Sequence, residues 1–533
     1  MTVRRVLLVL AVLTAMLGLS VPAGAYVEPG ADNPVTAEPP VSRPAGPHCA
    51  VTLANHFLSN APDGTPQTFS GTLTPPAACP GPWAKVVMDY TVSVSGRQYD
   101  RIGDLRIGDT EVYWGTTEEP GGPTPITYTV SKDVTEYSAL LGEPQSFTGG
   151  IGNYLSSVYT GNYDQTVTFT YYRGAAPDVP DAVVGFPAQH LSPAANVTHL
   201  SLQNLPRNIT RAYLEVTLEG GGCDEQWFSD VPADVAAKYP NAGMCTHGPY
   251  READASLDGT SMAAVHTFPH IYTGGIVPTL WRPIPAIHTF SLQSERVDMT
   301  PFVGRLVDGR THDLAFSVQN NGDSWSVVAT LLLYTDHHWA RTSGALTTAS
   351  VAPTAVEHVT ESAISGGTRV VDSTSRTDVT AGYVDTSAGR VSTRVVRTMA
   401  YRNDDTVTAN GLAQRIVQSD AGTQTATSTA GGRIVASTRH AYDYPITIDY
   451  SAAAYVDDQN FSLTGTVDMT QTLVDSVAGA STENVRSYGI LSRTNGVTSE
   501  SDGHSTSRYA GVDDRGHPYV QVLASNHGRV DRN

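Results

Sequence analysis

Short runs of Val, Thr, Tyr and Ile, broken by Gly, Pro, Asp and Asn, recur along most of this chain. Before residue 175 they include "KVVMDYTVSVS" (85–95), "EVYWGTT" (111–117), "ITYTVS" (126–131) and "TVTFTYY" (166–172). β-Branched and aromatic runs of this length between turn residues specify strands, and their close spacing specifies antiparallel sheets rather than βαβ units. After the break "RGAAPDVPDAVVGFPAQHLSPA" (173–194) a second series follows: "RAYLEVTLEG", "ADASLDG", "DLAFSVQ" and "WSVVATLLLYTD". Only "DVPADVAAKYP" (230–240) in that series has a helical pattern. The expected fold is all-β, with two adjacent antiparallel jelly-roll-like β-sandwiches over residues 49–178 and 185–340. From residue 345 to 533 the composition shifts to Ser, Thr, Val and Ala while alternation persists, which predicts a third, β-rich C-terminal region.

The start of the chain has the pattern of an export leader. Arg4 and Arg5 precede an apolar run, Val6 to Leu19, of about 14 residues, shorter than the ~20 needed to span a bilayer, and "VPAGA" supplies a small-x-small cleavage site. Residues 1–25 therefore read as a signal peptide and 26–48 as a Pro-rich linker, which makes the mature protein secreted, with no membrane segment. An oxidising compartment pairs cysteines. The chain has four, and the shortest loops join Cys49 to Cys79 and Cys223 to Cys245. A net charge of -19 opposes binding to nucleic acid or anionic lipid. No Cys-x-x-Cys, HExxH, nucleophile elbow or dinucleotide fingerprint occurs, so neither a metal nor a cofactor is expected, and His337-His338 has no third ligand at a suitable spacing.

Two stretches concentrate polar chemistry. In "GRQYDRIGDLRIGDTEVYWGTTEEP" (96–120), read as a strand continuing through a Gly-Arg turn, Tyr99 and Arg101 share one face and Asp100 shares the other with Ile102. An aspartate beside an isoleucine is either a backbone cap or a functional carboxylate. In "EGGGCDEQWFSD" (219–230) three glycines and a cysteine precede Asp224, Glu225 and Trp227. Such a corner suits sugar binding, since carboxylates accept from hydroxyls and indole faces cover C–H surfaces; an ordinary polar loop with a core tryptophan is the plainer alternative.

These stretches, with "LPRNITRAYLEVTLEGGGCDEQWFSDVP", "PYREADASLDG", "IYTGGIVPTLWRPIPAI" and "DMTPFVGRLVDGRTHDLAFSV" in that order, resemble the peptide:N-glycosidase A family, amidases that release N-linked glycans from glycoproteins. The resemblance covers roughly residues 50 to 340. A more distant likeness to the peptide:N-glycosidase F type implies that Asp100-Arg101 and Glu225 meet between two sandwiches as catalytic residues. A further acidic residue of that type has no clear match, because the comparable strand reads "GIGNYL" with Asn153. The resemblance implies hydrolysis of the N-acetylglucosamine–asparagine amide of glycoproteins or glycopeptides. Asp100 would activate water, Glu225 would hold the sugar and the reacting nitrogen, and Arg101 would stabilise the oxyanion, with exchanged carboxylate roles also open. Trp227, Asp224, Arg251, Trp114, Glu118 and Trp281, all within the matching blocks, are the expected substrate-binding residues. A catalytically inactive, lectin-like glycan-binding protein is the alternative.

Overall fold

The structure, a computed structural model, describes residues 32–457 and 459–531. The expected signal peptide and the first part of the linker lie outside the described residues. In the first sandwich one sheet orders strands His48–Leu58, Asn162–Arg173, Trp83–Arg97 and Gly121–Asp133. The facing sheet orders Phe69–Leu73, Gln145–Ile151, Ile102–Ile107 and Thr110–Thr116. Alternation explains the packing: Val86, Met88, Tyr90, Val92 and Val94 are buried against Leu105, Ile107 and Phe147, while Asp89, Thr91 and Ser93 point away.

The second sandwich repeats this order. Ser294–Asp298, Ile209–Gly221, Ser324–Thr335 and Ala182–Leu191 form one sheet, and Thr198–Leu202, His312–Val318, Glu252–Leu257 and Thr260–His266 the other. Strand Ala182–Leu191 falls in the stretch expected as an interdomain break, so the connection between sandwiches contracts to residues 174–181. The expected helix is present as Ala233–Lys238. Both disulfides pair as expected, Cys49 with Cys79 (Cα–Cα 5.9 Å) and Cys223 with Cys245 (5.6 Å).

The C-terminal region is a single twelve-stranded antiparallel sheet whose longest strands, Gly367–Thr386 and Gly389–Thr408, have 20 residues each. Its buried face contributes Val384, Tyr401, Ile416, Tyr442, Met469 and Val485 to the core of the second sandwich. The scarcity of large apolar side chains has a local reason. Gly465, Gly489 and Gly503 are register partners across three strands and open a recess for segment 276–281. A Cβ on Gly503 would stand 2.0 Å from the Thr279 carbonyl oxygen, and one on Gly489 would stand 3.0 Å from the Leu280 nitrogen. Ser487 and Ser505 both donate to the Leu280 carbonyl at the same place.

The described part of the expected linker is docked along its length. Asp32 accepts from Arg529 at 2.7 Å, Val35 N–H donates to Pro283 O at 3.0 Å, and Ala37 is fully buried. Ser42 N–H donates to Asp514 at 2.9 Å, Asp514 also pairs with Lys85, and Arg43 reaches Asp89 at 2.6 Å. Among the described residues no helix is long and apolar enough to cross a membrane.

Candidate active site

The strand reading through Asp100 needs correction. Strand Trp83–Arg97 ends, residues 98–101 turn the corner from one sheet to the facing one, and the next strand begins at Ile102. Asp100 therefore sits on a sheet-to-sheet corner. That corner is tied to the end of strand Thr110–Thr116: Arg101 N–H donates to Thr117 Oγ1 (2.9 Å), Thr117 N–H to Arg101 O (2.9 Å) and Gln98 N–H to Pro120 O (3.1 Å). Arg101 is buried, its guanidinium 3.5 Å above the Tyr99 ring, so these two do lie together as expected. Its Nη2 donates to Gln98 Oε1 (2.9 Å) and to Tyr154 O (3.0 Å), whereas its Nε has no hydrogen-bond partner.

The second sandwich contributes from the end of strand Ile209–Gly221, which runs into a 3-10 turn over Gly222–Ser229. Two of the three glycines are required here: a Cβ on Gly220 would meet Asp224 O at 2.2 Å, and Gly222 has φ +64° beside the Asp323 carboxylate. The adjacent acids of this turn separate. Glu225 remains partly accessible, whereas Asp224 is fully buried. One oxygen of Asp224 accepts from Arg251 Nη2 at 2.6 Å and Nε at 3.2 Å. The other accepts from Gly322 N–H (2.8 Å), Asp323 N–H (3.1 Å) and Trp325 Nε1 (2.7 Å). Arg251 also binds Asp230 at 2.7 Å.

Several expected substrate contacts are thus interior. Asp224 and Arg251 form a closed ion-pair centre with no surface left for a ligand. Trp227 is buried against Phe228 and Tyr401, and Trp281 is buried with its Nε1 donating to Gly275 O at 2.8 Å. Neither indole has a free face. Trp114 lines a small interdomain cavity of about 10 Å3, room for about one water, with Glu111, Lys132, Tyr137, Glu215 and Leu292, and neither Asp100 nor Glu225 lines it. Glu118 is buried beside the Asp100 corner with Oε2 unpartnered. His337 pairs with Asp181 at 2.8 Å.

Electrostatics show which carboxyls are neighbours. Burial raises Asp100 to about 7, partly opposed by its backbone hydrogen bond and by the Arg101 charge. Glu225 rises to about 8 through burial and then through the charges of Asp100 and Glu219. Glu219 rises to about 7 through burial, with Asp100 adding to it and a Ser326 hydrogen bond opposing it. Glu119 is held well above the usual carboxyl range by burial, then by Asp100, Glu118 and Glu225, with Arg97 opposing. The Asp100 charge on the first sandwich thus acts on Glu225 of the second, within one group of acids. Glu119, Glu219 and Tyr272, whose hydroxyl is raised by burial and then by the charges of Glu219, Glu225 and Asp100, belong to it and are not among the residues expected from sequence. Glu219 opens the glycine corner and Glu119 follows Glu118, so the signal is an acid at or just beyond the end of a strand. Among the described residues no group of three His, Cys, Asp or Glu side chains is placed to hold a metal.

Residues 34–352, which include both sandwiches and their junction, match the family model described as peptide N-acetyl-beta-D-glucosaminyl asparaginase amidase A. Peptide-N4-(N-acetyl-beta-glucosaminyl)asparagine amidase A of Prunus dulcis is 31% identical over 404 residues, 71% of this chain and 70% of that protein. This chain belongs to the amidase A family. Among solved structures, PNGase F, a glycosylasparaginase from Flavobacterium meningosepticum, aligns with TM-score 0.36 and 15% identity over 54% of this chain and 96% of its own. PNGF-II aligns with TM-score 0.40 and 13% identity over 55% of this chain and 66% of its own. The amidase A match supplies the family, and the junction of its two sandwiches supplies the geometry.

Proposed function

We propose that this amidase A family member hydrolyses the amide joining N-acetylglucosamine to asparagine in N-glycoproteins or glycopeptides, releasing the intact glycan and leaving aspartate. The observation that supports the reading is the action of the Asp100 charge, from the first sandwich, on Glu225 of the second. Amide hydrolysis needs a base for water, a donor for the carbonyl oxygen and a proton for the leaving nitrogen. Asp100, raised to about 7 and next to the Arg101 charge, ionises before Glu225, raised to about 8, and takes the water's proton. Water oxygen bonds to the carbonyl carbon, the C–N bond breaks, and the departing glycosylamine then loses ammonia in water. Glu225, protonated to about 8, offers an O–H to a sugar oxygen or the substrate amide. Arg101 is held by Gln98 and Tyr154, and its unpartnered Nε is the donor left for the developing oxyanion.

In both domains the first, eighth, third and sixth strands face the second, seventh, fourth and fifth, which supports reading each as a jelly roll. Two disulfides accord with an extracellular protein. Mass spectrometry of a glycopeptide after incubation tests the activity. An Asn-to-Asp mass change with intact glycan release is expected; an N-acetylglucosamine left on asparagine, or no cleavage, would refute it.

A further inference from the structure

We propose that Glu119 is the general acid of this junction, donating its carboxyl proton to the amide nitrogen as the glycosylamine leaves. The inference rests on the amidase reading and assigns a step that Asp100 and Glu225 leave open.

Position comes first. Residues 117–120 are bonded to the Asp100 corner at both ends, by the Arg101–Thr117 pair and by Gln98 N–H to Pro120 O, so Glu119 is fixed in the segment facing Asp100. The second sandwich closes over it. Thr273 Oγ1 donates to Thr117 O at 2.8 Å, and Arg282 Nη2 donates to the Glu119 main-chain oxygen at 2.6 Å. A Cβ on Gly274, which has φ +92°, would stand 2.1 Å from Glu119 Oε2. The loop thus omits a side chain where the carboxyl lies. Arg282 approaches that carboxyl only to 3.8 Å, and Glu119 Oε2 is buried with no hydrogen-bond partner. A buried carboxyl oxygen left unsatisfied in this way costs stability and invites a ligand atom to complete it, and the 18% exposure of the Glu119 side chain leaves the group within reach of one.

The groups facing Glu119 explain its protonation. Besides burial, Asp100, Glu118 and Glu225 present negative charge, and Arg97 and Arg282 only partly offset it. Glu118 is a weaker candidate, because burial alone raises its carboxyl and the Asp100 charge does not act on it. In the proposed step Asp100 carboxylate takes a proton from water, the water oxygen bonds to carbon, and the C–N electron pair departs on nitrogen while the Glu119 O–H proton is transferred to it. Asp100 ends protonated and Glu119 ionised. Exchange through solvent restores both, so one water is consumed.

Glu119→Gln keeps shape but carries no transferable acid. With a glycopeptide substrate kcat should fall ~100-fold or more, the scale of a lost general acid. KM and the melting temperature should change little, and the alkaline limb of the kcat profile should change in position or vanish. Glu119→Asp, one methylene shorter, should keep part of kcat and show a displaced limb, and it carries the same test should Glu119→Gln not fold. Near-parental kcat in a folded Glu119→Gln, or an unchanged alkaline limb in both variants, would overturn the assignment. If the parent itself releases no glycan, the amidase reading has failed; an active parent with an unaffected variant sinks only the Glu119 step.

Discussion

Asp224 and Glu225 are neighbours in sequence with opposite surroundings, so Asp224→Asn separates structure from binding at this corner. The Asp224 carboxylate accepts five hydrogen bonds: two from Arg251 on one oxygen and three, from Gly322, Asp323 and Trp325, on the other. An amide has one acceptor oxygen, so whichever way it turns, an NH2 group faces donors. If it faces Arg251, two charge-assisted bonds are lost and Asp230 alone remains as counter-ion. If it faces the other side, three buried N–H groups lose their acceptor. Each stranded buried donor costs ~1–3 kcal/mol, and breaking one side of a buried ion pair typically costs ~3–5 kcal/mol, so a loss of ~3–5 kcal/mol is expected. Urea unfolding followed by tryptophan fluorescence reads this directly, since Trp325 is one of the partners and Trp227 lies in the same turn. The midpoint should fall markedly, and activity at low denaturant should fall only as far as the Gly222–Ser229 turn loosens around Glu225. Unchanged stability with a raised KM would refute the structural account and return Asp224 to the substrate.

Three further outcomes are expected. Asp100→Asn should bind glycopeptide but turn it over ~100-fold or more slowly, while kcat/KM of the parent rises as pH passes about 7, when Asp100 ionises; a profile flat from pH 6 to 8 would contradict that assignment. Burial alone would lower His266, but Asp420 at 2.6 Å and Glu252 at 3.5 Å overrule it and raise the ring from 6.5 to about 10. The stabilisation it brings is complete below pH 6.5 and disappears as pH rises through about 10, so the stability difference between parent and His266→Gln should shrink by up to ~1.4 kcal/mol per pH unit in that window, and a pH-independent difference would disprove the ion pair. Gly503→Ala should displace segment 276–281 because its Cβ would stand 2.0 Å from Thr279 O, at ~1–3 kcal/mol for overpacking. Amide hydrogen exchange should rise in that segment and turnover should drop through Arg282 and Gly274; unaltered exchange would show that the recess is not a clamp.

The sequence made the strand runs legible because one buried face imposes alternation, and that alternation survives even in the glycine- and serine-rich C-terminal sheet. It could not reveal where a strand leaves its sheet. Period two carries on through Gln98, Tyr99 and Asp100 although the backbone turns there, and only the pairing of Tyr99 with Arg101 was anticipated. Indoles were the weakest guide. Trp227 and Trp281 stand beside Phe228 and Leu280, both fully buried, and an apolar neighbour is the cue that favours a core position. For the doubled acids the missing information was rotational: in Asp224-Glu225 and Glu118-Glu119 adjacent side chains point to different surroundings, and which one meets the junction depends on partners far away in the chain, such as Gly322, Gly274 and Arg282.

Acids gathered between two domains would repel on ionising and draw in water, so a junction carrying Asp100, Glu119, Glu219 and Glu225 needs a clamp independent of the site. Direct zippers supply part of it. Thr116 N–H donates to Thr289 O at 3.1 Å, Leu292 N–H to Trp114 O at 3.0 Å, and Tyr113 Oη to Phe290 O at 2.9 Å, with Gly115 leaving only 2.2 Å between a would-be Cβ and Phe290 O. The C-terminal sheet supplies the rest, seating segment 276–281 in its glycine recess and thereby fixing the loop that carries Gly274 and Arg282 onto Glu119. The N-terminal strap bonds to that loop at Pro283, to the sheet at Arg529 and to the first sandwich at Asp89. Raised carboxyl protonation is stable only while the carboxyls cannot separate or hydrate. The C-terminal sheet and the strap therefore hold the junction in place by packing and hydrogen bonds, and so deny its acids the relaxation that would return them to ordinary values.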